Sequence, residues 1–153
     1  MKILVVDDSK MVRVILKRWL VQLRFPEADV IEAANGELAL KTFEKFPIDA
    51  VITDWSMPVM DGLTLVKEIR KRCQQIPIIM ITSEGDRERV TTAIQSGVND
   101  YLVKPFTAGT LRDKLSLLLK TLAARSDSAA SAPERAPAPQ ASAQESPPEK
   151  VDA

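Results

Sequence analysis

The chain contains no histidine. That absence removes a Ser-His-Asp or Cys-His nucleophile, a His-ligated zinc site, and a phosphohistidine intermediate on the chain itself. Its single cysteine, Cys73, excludes an internal disulfide and fits a reducing compartment. No charge of either sign is in excess, since 21 basic residues balance 21 acidic ones. No basic footprint for nucleic acid or an anionic membrane is therefore expected. Long apolar runs are missing too: none approaches the roughly 20 residues of a membrane-spanning helix. The N-terminal run Ile3-Leu4-Val5-Val6 is cut by Asp7-Asp8 too soon to be a secretory signal. A cytoplasmic protein is expected, binding neither nucleic acid nor membrane.

What is present is alternation. The 153 residues suffice for one domain with a full core. Short apolar runs at Ile3 to Val6, Ile48 to Thr53 and Pro77 to Thr82 read as strands buried on both faces, and Asp29 to Ala33 and Asp100 to Val103 as two further strands. Between them lie helical patterns. Ser9 caps the first, with Val12, Ile15, Leu16, Trp19, Leu20 and Leu23 inward and Phe25-Pro26 ending it. Glu37 to Phe46 follows, then Asp61 capping a helix through Arg72 with Leu63, Val66 and Ile69 inward. Glu88 to Ser96 uses Val90, Ala93 and Ile94 and closes at Gly97. The last helix, Thr107 to Leu122, carries a leucine stripe. Five strand–helix alternations predict an α/β fold with a doubly wound five-stranded parallel sheet. The strand order 2-1-3-4-5 is adopted from flavodoxin-like folds rather than read from the residues. From Arg125 the composition turns to Ala, Pro, Ser, Gln and Glu, which predicts a disordered tail over 125–153.

The chemistry gathers at strand ends. Asp7-Asp8 follows the first strand, Asp54 ends the third, Thr82-Ser83 ends the fourth and Lys104-Pro105 the fifth. In a parallel sheet these ends share one edge, so residues distant in sequence can converge. Three carboxylates together repel unless a cation neutralises them. An all-oxygen donor set selects a hard divalent ion, Mg²⁺ foremost. A metal beside a carboxylate nucleophile and a lysine suits phosphoryl transfer, with Lys104 and the Thr82 hydroxyl on the phosphoryl oxygens.

The stretches DDS at 7–9, DWSMPVMDG at 54–62, ITSEG at 81–85 and DYLVKPF at 100–106 resemble the receiver domain of two-component response regulators, in particular single-domain CheY-like chemotaxis regulators. The resemblance covers about residues 1–124. It implies that Asp54 accepts a phosphoryl group from a sensor histidine kinase. It also implies that Asp8 binds Mg²⁺ directly, Asp7 largely through water, and Ser56 through its backbone carbonyl. Lys104 would pair with the phosphate, across a cis bond to Pro105. Thr82 and Tyr101 would act as the switch. A downstream protein target would bind the face made by the fourth helix, fifth strand and fifth helix, and the chain would act as a monomer in chemotaxis or motility. Ser56 replaces the Asn of CheY, and with Glu84 it bears on the lifetime of the phosphorylated state.

Other readings compete. The switch catalyses only its own phosphorylation and dephosphorylation, and it serves either an output partner or as a phosphate sink or relay shuttle. A haloacid-dehalogenase-type Mg-dependent phosphatase would need a second Asp where Ser56 stands. A flavodoxin-like electron carrier would set Asp7-Asp8 against a flavin phosphate. Asp7-Asp8 would otherwise merely cap a helix, Tyr101 would pack at an edge, and Trp55 would be surface packing. Met11, Trp19 and Met80 read as core or near-core, Asp61 as a cap, and Cys73 as a bystander.

Overall fold

The computed structural model describes residues 1–83 and 87–128. Five strands, β1 (Ile3–Val6), β2 (Val30–Ala33), β3 (Ala50–Asp54), β4 (Ile78–Thr82) and β5 (Asp100–Val103), form one parallel sheet in the order β2-β1-β3-β4-β5. The expected architecture and strand order are those observed. Helices α1 (Lys10–Gln22), α2 (Gly36–Lys45), α3 (Gly62–Arg72) and α4 (Arg87–Gln95) make the four crossovers, and α5 (Ala108–Ser128) follows β5.

Each sheet face carries its own apolar cluster, because successive residues of a strand point to opposite sides. Leu4, Val6, Val51, Ile78 and Met80 pack against Ala39 and Phe43 of α2, Leu65, Val66 and Ile69 of α3, and Ala93 of α4. Ile3, Val5, Ile52, Ile79 and Ile81 pack against Leu16 and Leu20 of α1 and Leu111 and Leu115 of α5. A strand covered on both faces has no use for polar alternation, which is why β1, β3 and β4 read as unbroken apolar runs.

Helix starts follow their capping chemistry. Ser9, Asn35 and Asp61 each accept a backbone N–H from the residue three further on, at Val12, Leu38 and Thr64. Gly97 (φ 114°) ends α4 in a conformation that a Cβ disfavours. Side chains of the apolar stripes depart from expectation where a helix rests one-sidedly on the sheet, since only the central row is then covered. Ile15 and Ile94 lie at the rim, 36% and 45% exposed, and Met11 is 72% exposed rather than near-core. Leu65, not Leu63, fills the core position of α3.

α5 runs to Ser128, past the expected end at Leu122 and into the segment read as tail. The turn toward Ala and Ser is not a stop signal: Ala123, Ala124 and Arg125 are good helix formers, and the next proline is Pro133. The remaining part of the predicted tail, 129–153, lies outside the described residues, as does Glu84. No helix is long and apolar enough to cross a membrane among the described residues.

Candidate functional site

The carboxyl ends of β1, β3, β4 and β5 meet at one edge of the sheet, and each contributes a side chain. Asp7 directly follows β1. Its backbone N–H donates to the Ala33 carbonyl (3.2 Å), and its Oδ1 accepts the Ser9 N–H (2.8 Å), which fixes the turn into α1. Asp54 closes β3, where the next residue bonds across to β4 through Trp55 N–H and the Ile81 carbonyl (3.0 Å). The same N–H donates to Asp54 Oδ1 (2.9 Å), the one hydrogen bond to that carboxylate among the described residues.

The loop after β3 is folded back on itself. The Gly62 N–H donates to the Trp55 carbonyl (2.8 Å), and a Cβ on Gly62 would collide with the Asp54 carbonyl oxygen. Glycine is required there for α3 to start against the end of β3. Within the loop Val59 holds φ 71°, unusual for a β-branched residue, while its side chain is exposed.

Asp7, Asp8 and Asp54 each offer a carboxylate oxygen, and these three atoms lie within 4.8 Å of one another. Asp7 is 1% exposed and Asp54 7%, whereas Asp8 faces solvent. Lys104 follows β5, its N–H bonded to the Thr82 carbonyl (2.8 Å), and its Nζ stands 3.6 Å from Asp54 Oδ1 and 3.7 Å from Asp7 Oδ2. Those separations attract but fall short of hydrogen bonds. The Lys104–Pro105 peptide is cis.

Electrostatics follow from crowding and burial. Burial foremost pushes the Asp54 carboxyl above its ordinary 3.8; the Asp7 charge raises it further, and Lys104 and the Trp55 N–H oppose. Burial likewise raises Asp7, against the Ser9 N–H and Lys104. Asp7 Oδ2 is buried with no hydrogen-bond partner. A buried carboxylate oxygen without a donor, beside two more carboxylates, is suited to coordinate a cation. The donor set is entirely oxygen and fits a hard divalent ion such as Mg²⁺.

Other residues singled out in the sequence take definite places. Thr82 is buried at the end of β4, opposite Val103. Ser56 is exposed and lines an open cleft of about 440 Å³ with Asp8, Trp55, Met57, Pro58, Asp61 and Arg89. Tyr101 is half-buried on β5, opposite Met80, with Lys114 Nζ 5.3 Å from its ring centre. Asp61 serves as the α3 cap, and Trp55 is partly buried.

Three residues with a bearing on the site were not apparent in the sequence. Arg13 donates to the Asp7 carbonyl (2.6 Å) and pairs with Glu32 (3.1 Å), although helical spacing marks it only as polar. Arg89 lies with its guanidinium carbon 5.0 Å from the Trp55 ring centre, a contact between distant segments that spacing cannot reveal. Val59 holds its positive φ against what its residue type signals, since a β-branched side chain argues for extended backbone.

Residues 3–116 match the family described as response regulator receiver domain. The chain is 48% identical over 127 residues to chemotaxis protein CheY1 of Helicobacter pylori, covering 79% of this chain and 98% of that one. The solved structure of the chemotaxis response regulator CheY4 of Vibrio cholerae superposes with a TM-score of 0.70 at 35% identity, over 76% of this chain and 97% of that one. The receiver domain of a Pseudomonas aeruginosa sensor histidine kinase superposes with a TM-score of 0.70 at 30% identity, over 78% and 97% of the two chains. That structure has a magnesium ion coordinated in its active-site cleft.

Proposed function

The chain belongs to the response regulator receiver domain family, with CheY chemotaxis proteins among its relatives, and from that premise we propose a phosphorylation-dependent signalling switch whose acceptor is Asp54. The observation that carries this reading is the convergence of Asp7, Asp8 and Asp54 beneath the Lys104 ammonium. It is a signalling regulator rather than a turnover enzyme.

In this reading the donor is a phosphohistidine on a sensor kinase, which the chain, lacking histidine, cannot supply itself. A carboxylate oxygen of Asp54 attacks phosphorus as the donor's N–P bond breaks, and the imidazole leaves with a proton. Asp7, Asp8, Asp54 and the Ser56 carbonyl would hold Mg²⁺, which would supply positive charge to offset that of the phosphoryl oxygens. Lys104 balances the negative charge that accumulates on phosphorus. The Trp55 N–H holds Oδ1 of Asp54, and burial at the strand end limits water. The Thr82 hydroxyl then turns toward the new phosphate and Tyr101 moves inward, altering the face of α4, β5 and α5 that a downstream protein of chemotaxis or motility control reads. A ligand with different affinity for the two states is all that such a switch needs.

The test combines intact mass and Trp55 fluorescence after addition of Mg²⁺ and a small phosphodonor. Wild type should gain one phosphoryl group and lose it slowly, and Asp54→Asn should gain none. Continuous release of phosphate from many monoesters would instead support a phosphatase.

A further inference from the structure

Among the described residues, the cleft beside the acidic cluster is lined by the carboxylates of Asp8 and Asp61 and by the guanidinium of Arg89. Arg89 comes from α4, on the wall opposite the loop after β3. Its guanidinium carbon sits 5.0 Å from the centre of the Trp55 ring, a cation–π contact that orients the planar head without using its N–H donors. Among the described residues Arg89 makes no ion pair and no side-chain hydrogen bond. Asp61 is already engaged, its Oδ1 capping α3. Trp55, which seats Arg89, is also the residue whose N–H holds Asp54 Oδ1. An oriented guanidinium with no ion-pair or hydrogen-bond partner among the described residues, in the cleft that Asp8 of the acidic cluster also lines, is suited to a planar anionic group.

We propose that Arg89 is a specificity-determining residue for the phosphoryl donor, its guanidinium receiving the carboxylate leaving group of a small acyl phosphate at the mouth of the cleft. This rests on Asp54 being the acceptor. With acetyl phosphate as the dianion, the acyl O–P bond breaks, the bond from Asp54 oxygen to phosphorus forms, and acetate departs as an anion; no proton or electron is needed. With phosphoramidate the N–P bond breaks instead, and the protonated nitrogen leaves as neutral ammonia, which a guanidinium does not attract. Arg89 therefore assists the first donor and leaves the second unaided.

The experiment measures phosphorylation rate against donor concentration for acetyl phosphate and for phosphoramidate, with Mg²⁺, on the full chain. The variants are Arg89→Ala and Arg89→Lys. The quantity read is the ratio of the two second-order rate constants within each preparation, so any inactive fraction cancels. Arg89→Ala should lower the ratio roughly three- to fivefold, the size of an exposed charge pair, and Arg89→Lys should restore part of it. An unchanged ratio in Arg89→Ala overturns the proposal and leaves Arg89 as surface packing on Trp55. Equal slowing with both donors also overturns it, since that marks a structural role. If wild type takes up no phosphoryl group from either donor, the acceptor reading itself fails, and this proposal falls with it.

Discussion

The Nζ of Lys104 stands 3.6 Å from Oδ1 of Asp54, although Asp54 ends β3 and Lys104 follows β5, with β4 between the two strands in the sheet. The contact is possible because parallel strands deliver their carboxyl ends to one edge, and the residue after β5 can lean over β4. At that distance the ammonium is placed for charge that arrives later rather than locked to the ground-state carboxylate.

Lys104→Ala should therefore separate two effects. Phosphoryl transfer to Asp54 should slow by about 10²-fold, the scale of losing one preorganised charge. Mg²⁺ should bind more tightly, because a competing cation has left the acidic cluster. A Trp55 fluorescence titration with Mg²⁺ and a mass time course with a phosphodonor check the two directions independently.

Asp7, together with Asp54, contributes to the pH response of the metal-free protein. Its folded carboxyl is raised above 3.8, chiefly by burial, so the folded chain retains a proton that the unfolded chain has released. The stability contributed by this group is full below about 3.8 and is lost as pH rises through the raised folded value. At pH 7 without Mg²⁺, Asp7→Asn should raise Tm by a few degrees, because it removes a buried anion from beside Asp54 while an oxygen remains to accept the Ser9 N–H. Mg²⁺ should stabilise wild type and have little effect on the variant. Thermal melts with and without Mg²⁺ check this, and a lower Tm for metal-free Asp7→Asn would count against it.

Val59 carries backbone strain at a solvent-exposed site, with φ 71° and a side chain 74% exposed. Replacing it with glycine removes the steric cost of the left-handed conformation, on the order of 1–2 kcal/mol, offset in part by the greater freedom of glycine when unfolded. Val59→Gly should raise the unfolding free energy in urea by about 0.5–1 kcal/mol.

Gly62 has no such latitude. A methyl group there meets the Asp54 carbonyl oxygen, so Gly62→Ala must push α3 away from the end of β3. A loss of roughly 1–3 kcal/mol is expected, as for other overpacked sites. Weaker Mg²⁺ binding should accompany it, because the displaced loop carries Ser56. Denaturation and a Trp55 titration on one sample give both numbers.

The parts of this arrangement that are set locally were legible in the sequence. Apolar runs located β1, β3 and β4, and Ser9 and Asp61 marked helix starts. Alternation implied a parallel sheet, which in turn brought Asp7, Asp8, Asp54 and Lys104 to one edge. The strand order needed knowledge of similar folds, because crossover handedness alone does not fix it. Contacts between remote elements were not legible: Arg13 on the Asp7 carbonyl and Arg89 on the Trp55 ring depend on how helices lie against the sheet. Met11 was misjudged because hydrophobicity does not say which apolar residues of a helix the sheet can reach. The end of α5 was misjudged because an alanine-rich composition suits both a helix and a tail.

The central claim is that Asp54, and no other carboxylate of the cluster, becomes the acyl phosphate. Borohydride reduction after treatment with Mg²⁺ and acetyl phosphate converts an aspartyl phosphate to homoserine, which peptide mapping locates. The account predicts homoserine at position 54 alone, dependent on Mg²⁺. Homoserine at position 7 or 8, or none anywhere, would contradict it.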